Sequence, residues 1–227
     1  MPFDDLPARV GEIRERIAAA VARGGHGQSV TLVAVTKTHG PEAVHAAWAA
    51  GVHDVGENKV QEALGKLAEV DVPVRWHLIG HLQRNKAKAL EHFALLHSLD
   101  SARLADAVHQ VGVARERAVE ALVQVNVAGE TTKGGFAPDA LRAEAERLTS
   151  LVGVRVRGVM TMAPFTSDER VLRAAFSGAR EARQVLLDAG HPAVELSMGM
   201  SNDYEIAVEE GATLVRLGTV LFGARAA

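Results

Sequence analysis

The stretch Thr31-Leu32-Val33-Ala34-Val35-Thr36-Lys37 is apolar, rich in β-branched residues, and ends in a lysine. A run without polar alternation predicts a strand buried on both faces, as in a parallel sheet. Burial penalises a charged ammonium, so a lysine leaving such a strand is predisposed to act as a nucleophile toward a carbonyl. The chain carries 6 lysines against 19 arginines, so a lysine at an inner position stands out. The competing reading is a strand-end lysine whose stem lies on apolar surface and whose amine reaches water.

Outward from that strand, strands and helices alternate. Leu6, Val10, Ile13, Ile17 and Val21 recur at helical spacing, and Gly24-Gly25 ends that helix. Further strands are predicted over 53–57, 74–80, 95–99, 122–127, 154–162, 194–197 and 214–218. Between them lie a helix opened by Pro41, one through Val60 and Leu67, and a basic one through Lys86 and Lys88. A helix capped by Asp100 or Ser101, one opened by Pro138, one over 168–188 and a short one over 202–210 complete the set. Eight strand units joined by helical crossovers predict a parallel sheet. At 227 residues the best fit is one domain, 1–227, folded as a single (β/α)8 barrel of the TIM type with an extra N-terminal helix. A doubly wound open sheet is the alternative. Only 9 residues follow Gly218, too few for a full eighth helix, so the N-terminal helix is expected to cover that gap.

Composition narrows the function. The net charge is −3 with both signs dispersed, which argues against a nucleic-acid groove or a polybasic membrane patch. There is no cysteine, which excludes disulfides, thiolate catalysis and cysteine metal sites. No apolar stretch is long enough to span a bilayer, and the acidic start Met1-Pro2-Phe3-Asp4-Asp5 is not a signal peptide, so a cytoplasmic protein is expected. The 10 histidines show no HExxH or equivalent metal spacing.

In a barrel of this type the chemistry sits where strands end. Those ends offer Lys37, Glu57-Asn58, His77 and His81, Asn126, Met160 and Met162, Ser197 to Asn202, and Arg216 with Gly218-Thr219. The last two segments predict an anion cup. Gly199 and Gly218 allow close backbone approach, while Ser197, Ser201 and Thr219 supply hydroxyls. A helix starting at Asn202 would add its N-terminus, and Asn202 and Glu205 also have capping-box spacing. Arg216 shares a strand face with Gly218. If it points into the barrel mouth it needs a partner, either a carboxylate such as Glu57 or Glu195 or an acceptor on a ligand.

Taken together, Ala34-Val35-Thr36-Lys37-Thr38, Gly56-Glu57-Asn58, Trp76-His77-Leu78-Ile79-Gly80 with Leu82-Gln83, Asn85-Lys86, Gly158-Val159-Met160, Leu196-Ser197-Met198-Gly199-Met200-Ser201 and Val215-Arg216-Leu217-Gly218-Thr219 resemble the YggS/PROSC family. These are pyridoxal 5'-phosphate (PLP) homeostasis proteins, related in fold to the N-terminal barrel of alanine racemase. The resemblance covers nearly the whole chain. It implies PLP held as an imine on Lys37, with phosphate contacts from Ser201, Gly218 and Thr219 and with Ser197 and Met198 nearby. It implies Arg216 against the pyridine nitrogen and Asn58 lining the site. Two positions depart from the pattern: Lys59 stands where many members have tyrosine, and His81 where many have proline.

The chemistry this predicts is modest. Arginine donates and does not accept a proton, so Arg216 would leave the ring nitrogen neutral and the cofactor a weak electron sink. Racemisation needs an acid/base group on each face of the cofactor. Related racemases supply the second from a C-terminal domain, whereas this chain ends just after strand 8. Its one tyrosine, Tyr204, is expected in the core or at the rim. The expected function is therefore binding and delivery of PLP to apo-forms of PLP-dependent enzymes, by a monomer without robust catalysis. A minimal amino-acid racemase is the main alternative, and a Schiff-base aldolase using Lys37 is a third. His77 and His81 are expected on a turn in a supporting or rim role. Lys133-Gly134-Gly135 is expected to be a mobile loop, and Arg84, Lys86 and Lys88 a solvated helix face.

Overall fold

The computed structural model describes residues 3–130 and 134–223. Its strands are Thr31–Val35 (β1), Asp54–Glu57 (β2), Arg75–Leu78 (β3), Leu95–Leu99 (β4), Val119–Gln124 (β5), Val154–Met160 (β6), Glu195–Ser197 (β7) and Leu214–Leu217 (β8). Each pairs in parallel with the next. β1 also pairs with β8, from Thr31 opposite Leu214 to Ala34 opposite Leu217, and the sheet closes into a barrel. The helices are Leu6–Gly24 (α1), Pro41–Ala49 (α2), Val60–Leu67 (α3), Ala102–Ala114 (α4), Leu141–Leu148 (α5), Glu169–Asp188 (α6), Tyr204–Glu209 (α7) and Thr219–Phe222 (α8).

Strand parity separates two apolar layers. Val33, Leu95, Leu122, Met160 and Leu214 form a small cluster, the inside of the barrel. Their neighbours Leu32, Ala34, Leu96, Ala121, Val123, Val159 and Val215 belong to a larger cluster shared with the helices. Successive side chains on a strand point to opposite faces, so the uninterrupted apolar runs feed both layers at once.

Several element ends differ from the sequence expectation. The basic segment between β3 and β4 is a 3-10 helix, Arg84–His92, not an α-helix. It buries Ala87 and Leu90, three apart, which matches three residues per turn. β5 stops at Gln124 because the backbone beyond it turns to Phe136: Phe136 N–H donates to the Gln124 carbonyl at 2.8 Å and Asn126 N–H to the Phe136 carbonyl at 3.0 Å. α5 begins at Leu141, the residues from Pro138 forming a turn. Nor does α7 begin at Asn202. Asp203 Oδ1 accepts from the Met200 N–H at 2.6 Å, and Glu205 turns outward to Arg16, so the expected capping box is not formed.

α1 lies across the α7 and α8 side of the barrel. Arg9 Nη1 donates to the Leu221 carbonyl at 2.7 Å, and the Phe3 ring meets Phe222 edge-on at 5.3 Å. Glu209 and Glu210 bind Arg23 of α1 and Arg180 of α6 at 2.5 and 2.9 Å. Among the described residues no helix is long and apolar enough to cross a membrane.

Candidate functional site

Lys37 is half-buried in the turn two residues past β1, at a position that continues the parity of the inward-facing Val33. The chain on either side of it is clamped by the neighbouring β2 and α3. Thr36 Oγ1 donates to Glu57 Oε1 at 2.6 Å. Lys66 Nζ, buried on α3, reaches the Thr36 carbonyl at 2.8 Å, Glu57 Oε1 at 2.6 Å and Glu62 Oε1 at 3.1 Å. Glu62 Oε1 in turn accepts from the Thr38 N–H at 2.5 Å. Thr38 has φ 71, a left-handed conformation that costs a β-branched residue about 1–3 kcal/mol unless its surroundings impose it. The Glu62 bond holds it there. Burial pushes the Glu57 carboxyl above its ordinary range against the pull of Lys66 and Thr36. Glu62 is held below that range, since the Thr38 N–H and Lys66 outweigh its partial burial.

Arg216 faces the same interior and is 5% exposed. Its Nη1 donates to Ser197 Oγ at 2.6 Å and its Nη2 to the Thr161 carbonyl at 3.0 Å. Neither Glu57 nor Glu195 is its partner: Glu57 binds Lys66, and Glu195 accepts from Thr213 at 2.6 Å. A guanidinium bonded to neutral acceptors in the interior is pushed down to about 10 by burial, with the Asp203 carboxylate offsetting part of the shift. It remains a cation at neutral pH with further N–H groups to offer. That is a donor suited to a neutral ring nitrogen.

The loops after β7 and β8 meet. Val220 N–H lies 3.4 Å from Ser201 Oγ, and the Arg216 N–H donates to the Gly199 carbonyl at 3.0 Å. Gly199 has φ 92, and a Cβ there would stand 2.7 Å from Ala207 Cβ, so the turn requires glycine. Thr219 and Val220 occupy the first turn of α8, where backbone N–H groups lack intrahelical partners. Ser201, Gly218 and Thr219 thus stand together at one loop junction. Ser197 lies apart from it, inside the barrel. Met198 has its side chain in the outer apolar layer, so it can offer the site only its backbone. Asn58 is half-buried at the end of β2, and Gly80 packs against its backbone so closely that a Cβ would fall 2.3 Å from the Asn58 carbonyl.

The remaining expectations are met in part. His77 is not on a turn; it lies within β3, 4% exposed, bonded to Asp54 and to His97. His81 is at the rim, bonded to Asp100 at 2.8 Å. Lys59 is exposed beside α3. Arg84 and Lys88 are solvated and Lys86 half-buried. Tyr204 packs in the sheet–helix layer with the Arg16 guanidinium 5.5 Å from its ring centroid, so its ring belongs to the α1–α7 contact. Asn126 ties the next loop through the Glu130 carbonyl at 2.8 Å. Lys133 lies outside the described residues. No group of three or more metal-ligating side chains occurs among the described residues. Sequence reasoning passed over Lys66, Thr161 and His97. The readable signal for His97 was its parity with Leu95 in an otherwise apolar strand.

Residues 9–226 match the family model described as alanine racemase, N-terminal domain. The pyridoxal phosphate homeostasis protein of Pseudomonas aeruginosa is 44% identical over 97% of this chain and 96% of its own length. The structure of PipY from Synechococcus elongatus with PLP bound superposes with a TM-score of 0.86 at 37% identity, covering 96% of this chain and all of that one. Alanine racemase from Corynebacterium glutamicum shares the fold at a TM-score of 0.72 and 13% identity, over 94% of this chain and 62% of the racemase.

The clamp around Lys37 is testable apart from any ligand. Lys66→Met leaves the Glu57 carboxylate buried without its cation and should destabilise the fold by about 3–5 kcal/mol at neutral pH. A carboxyl whose folded pKa is raised favours the folded state below its unfolded value and loses that benefit as pH rises through the folded value. The loss in Lys66→Met should therefore shrink on acidification into the range where Glu57 is protonated. Urea midpoints of both proteins across pH check this; a pH-independent difference contradicts it.

Proposed function

This chain belongs to the family of the alanine racemase N-terminal domain, and on that premise we propose that it binds pyridoxal 5'-phosphate and takes part in PLP homeostasis without a robust catalytic cycle. The observation that carries the reading is the buried Arg216, bonded to neutral acceptors inside a barrel whose first strand leads into Lys37. Lys37 is the amine that condenses with the cofactor aldehyde, losing water, and Arg216 donates to the ring nitrogen. Ser201, Gly218 and Thr219 receive the phosphate, with Met198 adjoining through its backbone. Ser197 supports the ring side through Arg216, and Asn58 lines the mouth.

Bound PLP supplies an electron sink whose strength depends on the charge at its ring nitrogen. Arg216 gives that nitrogen a hydrogen bond and no proton, which keeps the sink weak. Tyr204, the one tyrosine, packs beneath Arg16 in the outer layer, which argues against its serving as a second acid/base group. A site that holds the cofactor by Lys37 and stays weak in carbanion chemistry suits storage and delivery. The setting we propose is the cytoplasm, with a monomer passing PLP to apo-forms of PLP-dependent enzymes as an incoming lysine replaces Lys37.

Three measurements follow from these assignments. Borohydride reduction of the loaded protein should abolish its visible band and leave the cofactor mass on Lys37, and Lys37→Ala should be colourless; an adduct mainly on Lys59 or Lys133 overturns the assignment. Thr219→Ala should weaken PLP binding by about 1–3 kcal/mol, the range for a lost bond to a charged group, and the native protein should prefer PLP to pyridoxal. Equal affinity for the two removes the phosphate cup. Loaded protein mixed with an apo-transaminase should restore its activity, while D/L interconversion of alanine stays negligible. Racemisation at enzyme-like rates, lost in Lys37→Ala, replaces this reading with the racemase.

A further inference from the structure

Below the Lys37 end, five side chains from five strands form one hydrogen-bonded line through the barrel interior. Arg216 Nη1 meets Ser197 Oγ at 2.6 Å, and Ser197 Oγ meets His97 Nδ1 at 2.8 Å. His97 Nε2 meets His77 Nδ1 at 2.8 Å, and His77 Nε2 meets Asp54 Oδ1 at 2.8 Å. All five are buried. At its far end Asp54 Oδ2 accepts from Arg75 Nη2 at 2.6 Å. That end borders a cavity of about 320 Å³ lined in part by Asp54, Arg75, His77, Glu120, Arg157 and Glu195.

The two ends fix the protons in between. Arg216 only donates, so Ser197 Oγ accepts from it and turns its single hydrogen to His97 Nδ1. His97 Nδ1 is then bare, and a neutral ring carries its proton on Nε2, which donates to His77 Nδ1. His77 Nδ1 is bare in turn, so its proton sits on Nε2 and donates to Asp54, which as a carboxylate only accepts. Every donor and acceptor in the line is used once. The reversed order needs His77 protonated on both nitrogens and His97 on Nδ1. It would add a buried charge and leave the Ser197 hydrogen without a partner in the line, and both changes are costly in an interior. Two further features fix the states that both orders share, a neutral His97 and an ionised Asp54. His97 is fully buried, and burial with the nearby His77 and Arg216 holds its pKa well below the usual histidine value. Asp54, although burial opposes it, is held below the ordinary carboxylate range by its bonds to His77 and Arg75.

We propose that Asp54 is a positioning residue for Arg216, acting through one fixed proton order in His77, His97 and Ser197. Its functional meaning rests on the reading of Arg216 as the ring-nitrogen donor. The line is not a proton conduit, because the guanidinium at its upper end does not release a proton. Its bare His97 Nδ1 draws the Ser197 hydrogen to itself, which leaves the hydroxyl lone pairs toward Arg216, aims the guanidinium and polarises the line toward the carboxylate at the barrel floor.

The cofactor-free protein, labelled with ¹⁵N in histidine and arginine, decides the proton order by NMR. Both His77 and His97 should be neutral with the proton on Nε2, and a coupling should cross from His97 Nε2 to His77 Nδ1. A proton on His97 Nδ1, or a doubly protonated His77, overturns the proposal. In Asp54→Ala the His97 ring and Arg216 guanidinium resonances should shift, while His191, buried elsewhere against the Ala145 carbonyl, should not. The visible band of the PLP-loaded variant should shift as well. A shift confined to His77 overturns the transmission to Arg216. If Asp54→Ala does not fold, Ser197→Ala cuts the line at its other end and should shift both Arg216 and His97. Failure to bind PLP refutes the proposed function and leaves the proton order decided by the cofactor-free spectra.

Discussion

Inside the barrel, the Arg216 guanidinium donates to Ser197 Oγ and to the Thr161 carbonyl. A cation withdrawn from water costs several kcal/mol unless good geometry and satisfied hydrogen bonds offset it. Much of the surrounding structure meets that demand. β6 ends so that the Thr161 carbonyl points at the guanidinium, while Thr161 Oγ1 ties back to the Val125 carbonyl at 2.9 Å. β7 places a serine at the one inward position where a single-hydrogen hydroxyl can accept from arginine and donate to histidine. The Gly199 turn accepts the Arg216 N–H and so sets the loop after β7 over the end of β8.

The outer layer meets a similar demand with a different solution. Lys66 is 5% exposed between Glu57 and Glu62, and its three bonds hold the backbone on both sides of Lys37. Lys37, the amine proposed to hold the cofactor, is thus placed by a second lysine. Lys37 continues the inner parity of β1, whereas Lys66 reaches from α3 to the outer face of β2, a division set by the alternation of the strands.

The barrel was legible because its strands are continuous apolar runs with β-branched residues and its glycines and prolines punctuate them. Lys37 and Arg216 were legible for the same reason: on strands that apolar, the parity of a single charge gives its direction. Strand ends were less so, since β5 stops where Phe136, twelve residues beyond Gln124, takes over its hydrogen bonds. Lys66 was hidden because a lysine four residues after a glutamate on an amphipathic helix reads as a surface pair. Only the fold brings Glu57 beneath it. The His77–His97 line was hidden in part. His97 shares the parity of Leu95, a signal that was passed over, and His77 was expected on a turn; their meeting depends on the stagger between β3 and β4, which no local pattern encodes. The capping box at Asn202 and Glu205 was a true spacing that the fold did not use: α7 starts one residue past Asp203, and Glu205 pairs with Arg16.

The racemase barrel shares this architecture, so the fold does not choose between carrying PLP and turning it over; the site does. On this account racemisation is opposed by the packing of Tyr204 against Arg16, away from a second acid/base role, and stronger carbanion chemistry by a donor-only arginine at the ring nitrogen, which keeps the cofactor a weak sink. The ¹⁵N chemical shift of the ring nitrogen in the protein loaded with ¹⁵N-labelled PLP measures this directly. The account predicts the shift of a neutral pyridine accepting one hydrogen bond, constant across neutral pH, and moved toward that of a free pyridine in Arg216→Met. A pyridinium shift in the native protein contradicts it.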